Sequence, residues 1–313
     1  LATFIVQLGY WRFFFSGMGI LIFITLVLFA YVTNEPKRGA QQEELFHILK
    51  YDDIDYDFQI NKETVRKTML SKTNIVALIE GIFTWILTSS LNFLILNFIQ
   101  SPPYNISEFS TAVFIVIFGL SGGLVGQLVL ARLSDKLADK NYLYRLPIIV
   151  LSIIVGLITF AIFFYLPFQS LTEEQGQNVL FLLNLPVMWW MGLLYFISRS
   201  FFSLYVVNQS PVLQQINLPE AQGTITSWNQ FLESFGRGIG PALCGVLLAF
   251  TGKNFQLTVM FIIICIVPGI ILWTLALKWY PDDRKRVKEI LEQRAKELKK
   301  SKYDPPSRRL IKP

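Results

Sequence analysis

Two places in this 313-residue chain put charge where the surrounding sequence is apolar. Glu80 lies seven residues past Thr73, which in a helix is roughly 10 Å of depth at 1.5 Å per residue. One turn to either side stand Val76 and Thr84, and neither is basic. An ionisable group inside a membrane span costs about 2.5–3.5 kcal/mol on insertion scales, so each instance needs a reason. A carboxyl here suits proton coupling or contact with a substrate; the other reading is a glutamate near the end of its span, bonded to Lys72 or to water. Glu233 and Arg237 are four residues apart on one helix face, beside Asn229 and Gln230. An i,i+4 ion pair offsets part of the burial cost of both groups. Either the pair faces a cavity, with Arg237 meeting an anionic headgroup, or it fixes one helix against its neighbour. Trp85, Asn92 and Asn97 on one run, and Trp189, Trp190, Tyr195 and Ser198 on another, could line an amphipathic cavity. Tryptophans that pack or face lipid are the alternative.

Other chemistry is missing from the sequence. The one histidine, His47, cannot build a metal cluster alone, and the two cysteines, Cys244 and Cys265, sit within long apolar runs. A disulfide framework or thiolate zinc site is therefore excluded. No phosphate-binding loop and no nucleophile triad is present, so neither a cofactor, a metal nor an enzymatic activity is expected, and direct coupling to ATP hydrolysis is not encoded.

The elements that must hold these side chains are spans. The chain is 53% hydrophobic and 16% charged, whereas soluble domains average about 25% charged residues. A hydrocarbon core roughly 30 Å thick needs about 20 apolar residues in a helix. Seven stretches qualify, near 12–33, 74–99, 111–132, 146–168, 178–205, 223–250 and 256–279. Pro186, Pro241 and Pro268 are expected to interrupt helices, as happens where transporter helices bend around a site. A polar link with Asp52, Asp53, Asp55 and Asp57 joins the first two spans. With seven spans, 25 of the 28 lysines and arginines fall on one face, the one that holds this link and the carboxy-terminal tail. The positive-inside rule makes that face cytoplasmic, in a multi-pass protein of the cell membrane. The basic balance is topological, so nucleic acid is not an expected partner. In the tail, Val287, Ile290, Leu291 and Leu298 recur at helical spacing among lysines and arginines, which predicts a basic amphipathic helix lying on the membrane surface. Asn105-Ile106-Ser107 is a glycosylation sequon on the opposite face.

The strongest local signal runs from Gly122 to Arg145. Small residues at Gly119/Gly123 and Gly122/Gly126 let helices approach closely, and Ser134-Asp135-Lys136 is expected to mark an abrupt exit from the membrane. This segment resembles the signature loop of the major facilitator superfamily, Gly-x-x-x-Asp-Arg/Lys-x-Gly-Arg/Lys, in its second-half copy. Ala131 and Ala138 stand where the family has glycine, with Asp139 before Lys140. Gly9-Tyr10-Trp11-Arg12-Phe13 and Glu35-Pro36-Lys37-Arg38-Gly39 flank a span similar to the family's sixth helix, and the second of these is like spinster-type members, which move lipids. Leu218-Pro219-Glu220-Ala221-Gln222-Gly223-Thr224 followed by Gly236-Arg237-Gly238-Ile239-Gly240-Pro241 resembles the start of the family's eleventh helix.

The resemblance implies an all-α, major-facilitator-type bundle whose seven transmembrane helices equal helices six to twelve of twelve. Residues 1–34 would then be the last helix of an amino-terminal half, 35–72 the link between halves, 73–280 the six-helix carboxy-terminal half, and 281–313 a basic cytoplasmic tail. The chain starts at Leu1 inside an apolar run, which reads as truncation of the amino-terminal half, an expected partner together with membrane lipids. The function implied is secondary active transport by alternating access, proton- or ion-coupled, of an amphipathic lipid, organic anion or hydrophobic small molecule. Asp135 and Lys136, with Gly122, Gly126 and Lys140, would form the gate loop, the aspartate resting on the positive end of a neighbouring helix. Glu80, Trp85, Asn92, Trp189, Asn229, Glu233 and Arg237 are the substrate or coupling candidates. Rival readings are a seven-helix receptor or sensor, and an intramembrane enzyme.

Overall fold

The computed structural model describes residues 9–33, 37–51 and 54–303. Glu35 and Pro36 of the exit motif, Asp52 and Asp53 of the acidic cluster, and Arg308, Arg309 and Lys312 of the tail lie outside the described residues. Seven helices are long and apolar enough to cross a membrane, and the described residues contain no strand. We name the helices α1 (Trp11–Val32), α2 (Glu43–Tyr51, in the polar link), α3 (Lys72–Gln100), α4 (Glu108–Lys140), α5 (Arg145–Phe163), α6 (Pro186–Gln215), α7 (Pro219–Phe250) and α8 (Phe255–Tyr303).

Local chemistry sets several of these boundaries. Ser71 and Ser107 accept hydrogen bonds from the backbone N–H three residues on, opening α3 and α4. Pro186 and Pro219 occupy first turns, where a missing N–H costs nothing. Pro186 thus starts α6 rather than bending it, and the fifth span runs 186–215 instead of the expected 178–205. The residues ahead of it form two short helices, Glu173–Gln177 and Val179–Leu183. α4 runs past Ser134-Asp135-Lys136 to Lys140 and stops at extended Asn141, because no glycine or proline intervenes to break the helix. Within it, Ile115–Leu120 and Gly126–Leu130 take π-helical turns.

Small residues decide the packing. A Cβ on Gly122 would sit 2.5 Å from the Phe196 carbonyl oxygen, and one on Gly126 would sit 2.2 Å from that of Ser200, so α4 lies backbone to backbone on α6. Gly236 and Gly240 seat α7 on α3 in the same way, 2.6 Å from Ile82 O and 2.7 Å from Ile86 O. One core, rich in phenylalanine, fills the bundle around Phe98, Phe160, Phe163 and Phe164. A second surrounds Tyr205, Trp273 and Tyr280 nearer the link. α1 stands apart, with every residue but Phe14 exposed.

The tail corrects a second expectation. α8 carries on through Pro268 and Pro281 as one 49-residue helix. Val287 and Leu291 are buried against Leu45 and Leu49 of α2, with Tyr56 and Leu218, so the apolar stripe is covered by the link and not by lipid. Asp283 accepts hydrogen bonds from Thr73 N (3.1 Å) and Thr73 Oγ1 (2.7 Å), fastening α8 to the start of α3. At the opposite end Asn105, the sequon residue, donates from Nδ2 to Leu171 O at 2.9 Å.

Candidate functional site

Glu80 is wholly buried where α3 meets α6 and α8. Tyr205 of α6 donates its hydroxyl to Glu80 Oε2 at 2.9 Å, and Thr84, one turn along α3, donates to Oε1. Lys72 is not its partner, since that ammonium lies over the Trp279 ring, 5.5 Å from the centroid. Among the described residues no cation pairs with Glu80; the charged group that bears on it is a second carboxylate, Glu233. A carboxyl buried in a span with two hydroxyl donors and, among the described residues, no counter-ion is costly, so its presence there calls for a reason.

α7 brings the second set. Asn229 Nδ2 donates to Glu233 Oε1 at 2.6 Å, and Gln209 Nε2 of α6 donates to Asn229 Oδ1 at 3.4 Å. Glu233 Oε2 faces Arg237 at 3.6 Å, completing the i,i+4 pair. The Arg237 guanidinium lies over the Trp85 ring, 3.6 Å from its centroid, while half of its side chain stays exposed. The absence of a side chain at Gly81 lets these groups reach α3: its missing Cβ would lie 3.4 Å from Asn229 Oδ1 and from Glu233 Cγ. Among the described residues two indole N–H groups, Trp85 Nε1 and Trp273 Nε1, are buried outside close hydrogen-bond geometry, each turned toward a carboxylate, Glu233 and Glu80 respectively.

The structure therefore joins Glu80, Trp85, Asn229, Glu233 and Arg237. Asn92 stands two turns beyond Trp85 on the same face of α3, half-buried. Trp189 is elsewhere. It lies in the first turn of α6, exposed, donating its indole N–H to Leu183 O at 2.7 Å, about 24 Å along the helix from Tyr205 at 1.5 Å per residue. Tyr205, Gln209, Thr84 and Trp273 were missed by sequence reasoning. The signal available was polar atoms within long apolar runs.

At the link end, Asp135 pairs with Arg145 at 2.9 Å, and Arg145 is the first residue of α5. The partner of the aspartate in the structure is thus a guanidinium on the next helix in sequence. Arg145 also donates to Asn208 Oδ1 at 3.2 Å, and Ser134 Oγ donates to the same oxygen at 2.6 Å. Asn208 is three residues from Tyr205, so α6 carries both the partner of Glu80 and the partner of this loop. Lys136 and Lys140 are exposed.

A second buried charge cluster was not anticipated. Arg294 of α8 donates to both oxygens of Glu220, at 2.8 and 3.0 Å, and Tyr56 of the link donates to Oε2 at 2.9 Å. Arg294 also reaches the Tyr56 hydroxyl and lies over the Phe58 ring. Burial, with help from the Glu220 carboxylate, pushes the Tyr56 hydroxyl above its usual range, so it stays a donor. Among the described residues no group of three histidine, cysteine, aspartate or glutamate side chains is placed to hold a metal ion.

A bundle of long apolar helices, paired through glycine faces and enclosing carboxylates, is the architecture of an integral membrane protein. The family model of the Major Facilitator Superfamily matches residues 1–241, and the chain belongs to that family. Its members are transporters, so the receptor reading is not favoured. No curated protein matches the chain.

Proposed function

We propose that this protein is a proton-coupled secondary transporter that moves an amphipathic lipid or organic anion by alternating access, with the link and the tail on the cytoplasmic side. The observation that carries the reading is the fully buried Glu80 carboxyl, held by Tyr205 and Thr84, with no cation paired to it among the described residues and adjoining the Glu233–Arg237 pair. Glu80 would take the proton. Arg237, half-exposed on the Trp85 ring, would meet the anionic group of the substrate. α6 would link the two events, since Tyr205 touches Glu80 while Asn208 touches the Asp135–Arg145 loop. In this reading the helices are six to twelve of a twelve-helix protein. The exposed faces of α1 would pack on the five other helices of the amino-terminal half, the two halves rocking about a midplane site. The spinster-like exit motif favours a lysophospholipid or sphingoid phosphate over a hydrophobic drug.

The test is uptake of a labelled lysophospholipid by proteoliposomes holding the full-length transporter, over a series of pH values. Glu80→Gln is expected to flatten the pH dependence and to remove a protonated-carboxyl band from the infrared spectrum of the protein. An unchanged pH profile would take Glu80 out of the coupling role.

A further inference from the structure

A cavity of about 430 Å³ opens at the link end, walled by the beginning of the link and α2, the foot of α6, the first turn of α7 and the α8 segment 284–291. Its lining carries both signs of charge. Arg38, Arg284 and Lys288 supply cations, and Glu43 and Glu44, in the first turn of α2, supply carboxylates. Lys37 also lines it but is engaged with Asp55 at 3.5 Å. Among the described residues, neither Arg38 nor Lys288 has a carboxylate within ion-pairing distance, and neither Glu43 nor Glu44 has a cation there. Opposite charges thus line one space without, among the described residues, pairing with each other, so a ligand bearing both charges finds a partner for each.

The donors on the cationic side suit a phosphate. Arg284 is held flat over the Tyr142 ring, 3.7 Å from its centroid, and so is pre-oriented. Gln215 has its oxygen fixed by the Tyr280 hydroxyl at 2.5 Å, which leaves its NH₂ group for the cavity. Two guanidiniums, an ammonium and an amide exceed what the two oxygens of a carboxylate can use and match the oxygens of a phosphate ester. The two glutamates facing them match an ammonium that can donate hydrogen bonds. We propose that this cavity binds a phosphate ester carrying a primary amine, the phosphoethanolamine group, and that bound ligand ties the link, α6, α7 and α8 together. The same chemistry is offered by phosphatidylethanolamine at the adjoining membrane surface and by free phosphoethanolamine. The inference is independent of what the protein transports.

The test uses the full-length protein in two arms: nanodiscs of phosphatidylcholine with added phosphatidylethanolamine, scored by native mass spectrometry, and lipid-free calorimetry with phosphoethanolamine or inorganic phosphate in detergent. Binding of phosphatidylethanolamine in the first arm, or of phosphoethanolamine more tightly than inorganic phosphate in the second, supports the site and identifies its source. Arg38→Gln with Lys288→Gln is expected to weaken that binding at least tenfold, and Glu43→Gln with Glu44→Gln to erase the preference over phosphatidylcholine or inorganic phosphate. Thermal unfolding without ligand should not move, since among the described residues these four side chains make no ion pair. If a neutral variant proves unstable, Arg38→Lys with Lys288→Arg keeps the charge and should keep the binding. No binding in either arm, wild-type affinity in the neutralised variants, or inorganic phosphate bound as tightly as phosphoethanolamine would each overturn the proposal.

Discussion

The Tyr205 hydroxyl stands 2.9 Å from Glu80 Oε2, and it comes from a helix 125 residues further along the chain. With Thr84 of α3 it supplies the two hydroxyl hydrogen bonds to that carboxyl. The tyrosine is itself wholly enclosed, so neither group has water to fall back on.

Tyr205→Phe keeps the ring and removes only the donor. An unsatisfied buried partner costs about 1–3 kcal/mol, so the variant should unfold at a lower temperature in detergent than the parent. It should also move the pH dependence of uptake if Glu80 exchanges the proton. A melting curve identical to the parent's would mean the bond contributes nothing.

The glycine face of α4 gives a sharper contrast. Gly126→Val places its Cβ where the Ser200 carbonyl oxygen already lies, 2.2 Å away, and backbone cannot yield as a side chain can. Gly123→Ala meets only Ser203 Oγ at 3.5 Å, an ordinary contact. The first substitution should cost about 1–3 kcal/mol or more, as overpacking a core does; the second should be nearly silent. Equal melting temperatures for the two variants would show that α4 and α6 do not meet through this face.

Arg294 and Glu220 are both largely buried, with 11% and 1% of their side chains exposed. Removing one member strands the other charge, which costs about 3–5 kcal/mol. Arg294→Met and Glu220→Gln should each destabilise strongly, while the double variant should lose clearly less than the two losses added together. A double-mutant cycle on thermal unfolding reads this directly, and strict additivity would mean the pair is not coupled.

Hydrophobic length alone gave away the seven spans, since each must cover the same thickness of hydrocarbon. Spacing gave the Glu233–Arg237 pair, because four residues return a helix to the same face. The glycine spacing announced a close helix contact, though not that α6 would supply the other surface. What stayed hidden depends on distance in sequence. Nothing near Glu80 indicates Tyr205, and nothing near Glu220 indicates Arg294, 74 residues away. The tail was misjudged for a related reason. Val287 and Leu291 define an apolar stripe, but a stripe does not say whether lipid or Leu45 and Leu49 will cover it.

Arg237 offers a case where magnitude separates two roles. Half of its side chain is exposed and the contact with Glu233 is 3.6 Å, so as a structural ion pair it is worth at most about 1 kcal/mol. Arg237→Gln should therefore leave the melting temperature within a few degrees of the parent. If the guanidinium on the Trp85 ring receives an anionic substrate, the same variant should reduce uptake of an anionic lysophospholipid by tenfold or more while sparing a neutral analogue, because only the anion loses a charge partner. Trp85→Leu, which removes the ring that orients the guanidinium, should fall between the two. Uptake of both substrates at parental rates in Arg237→Gln would assign the pair to holding α7 in place, and the anion would then have to be met by another cation.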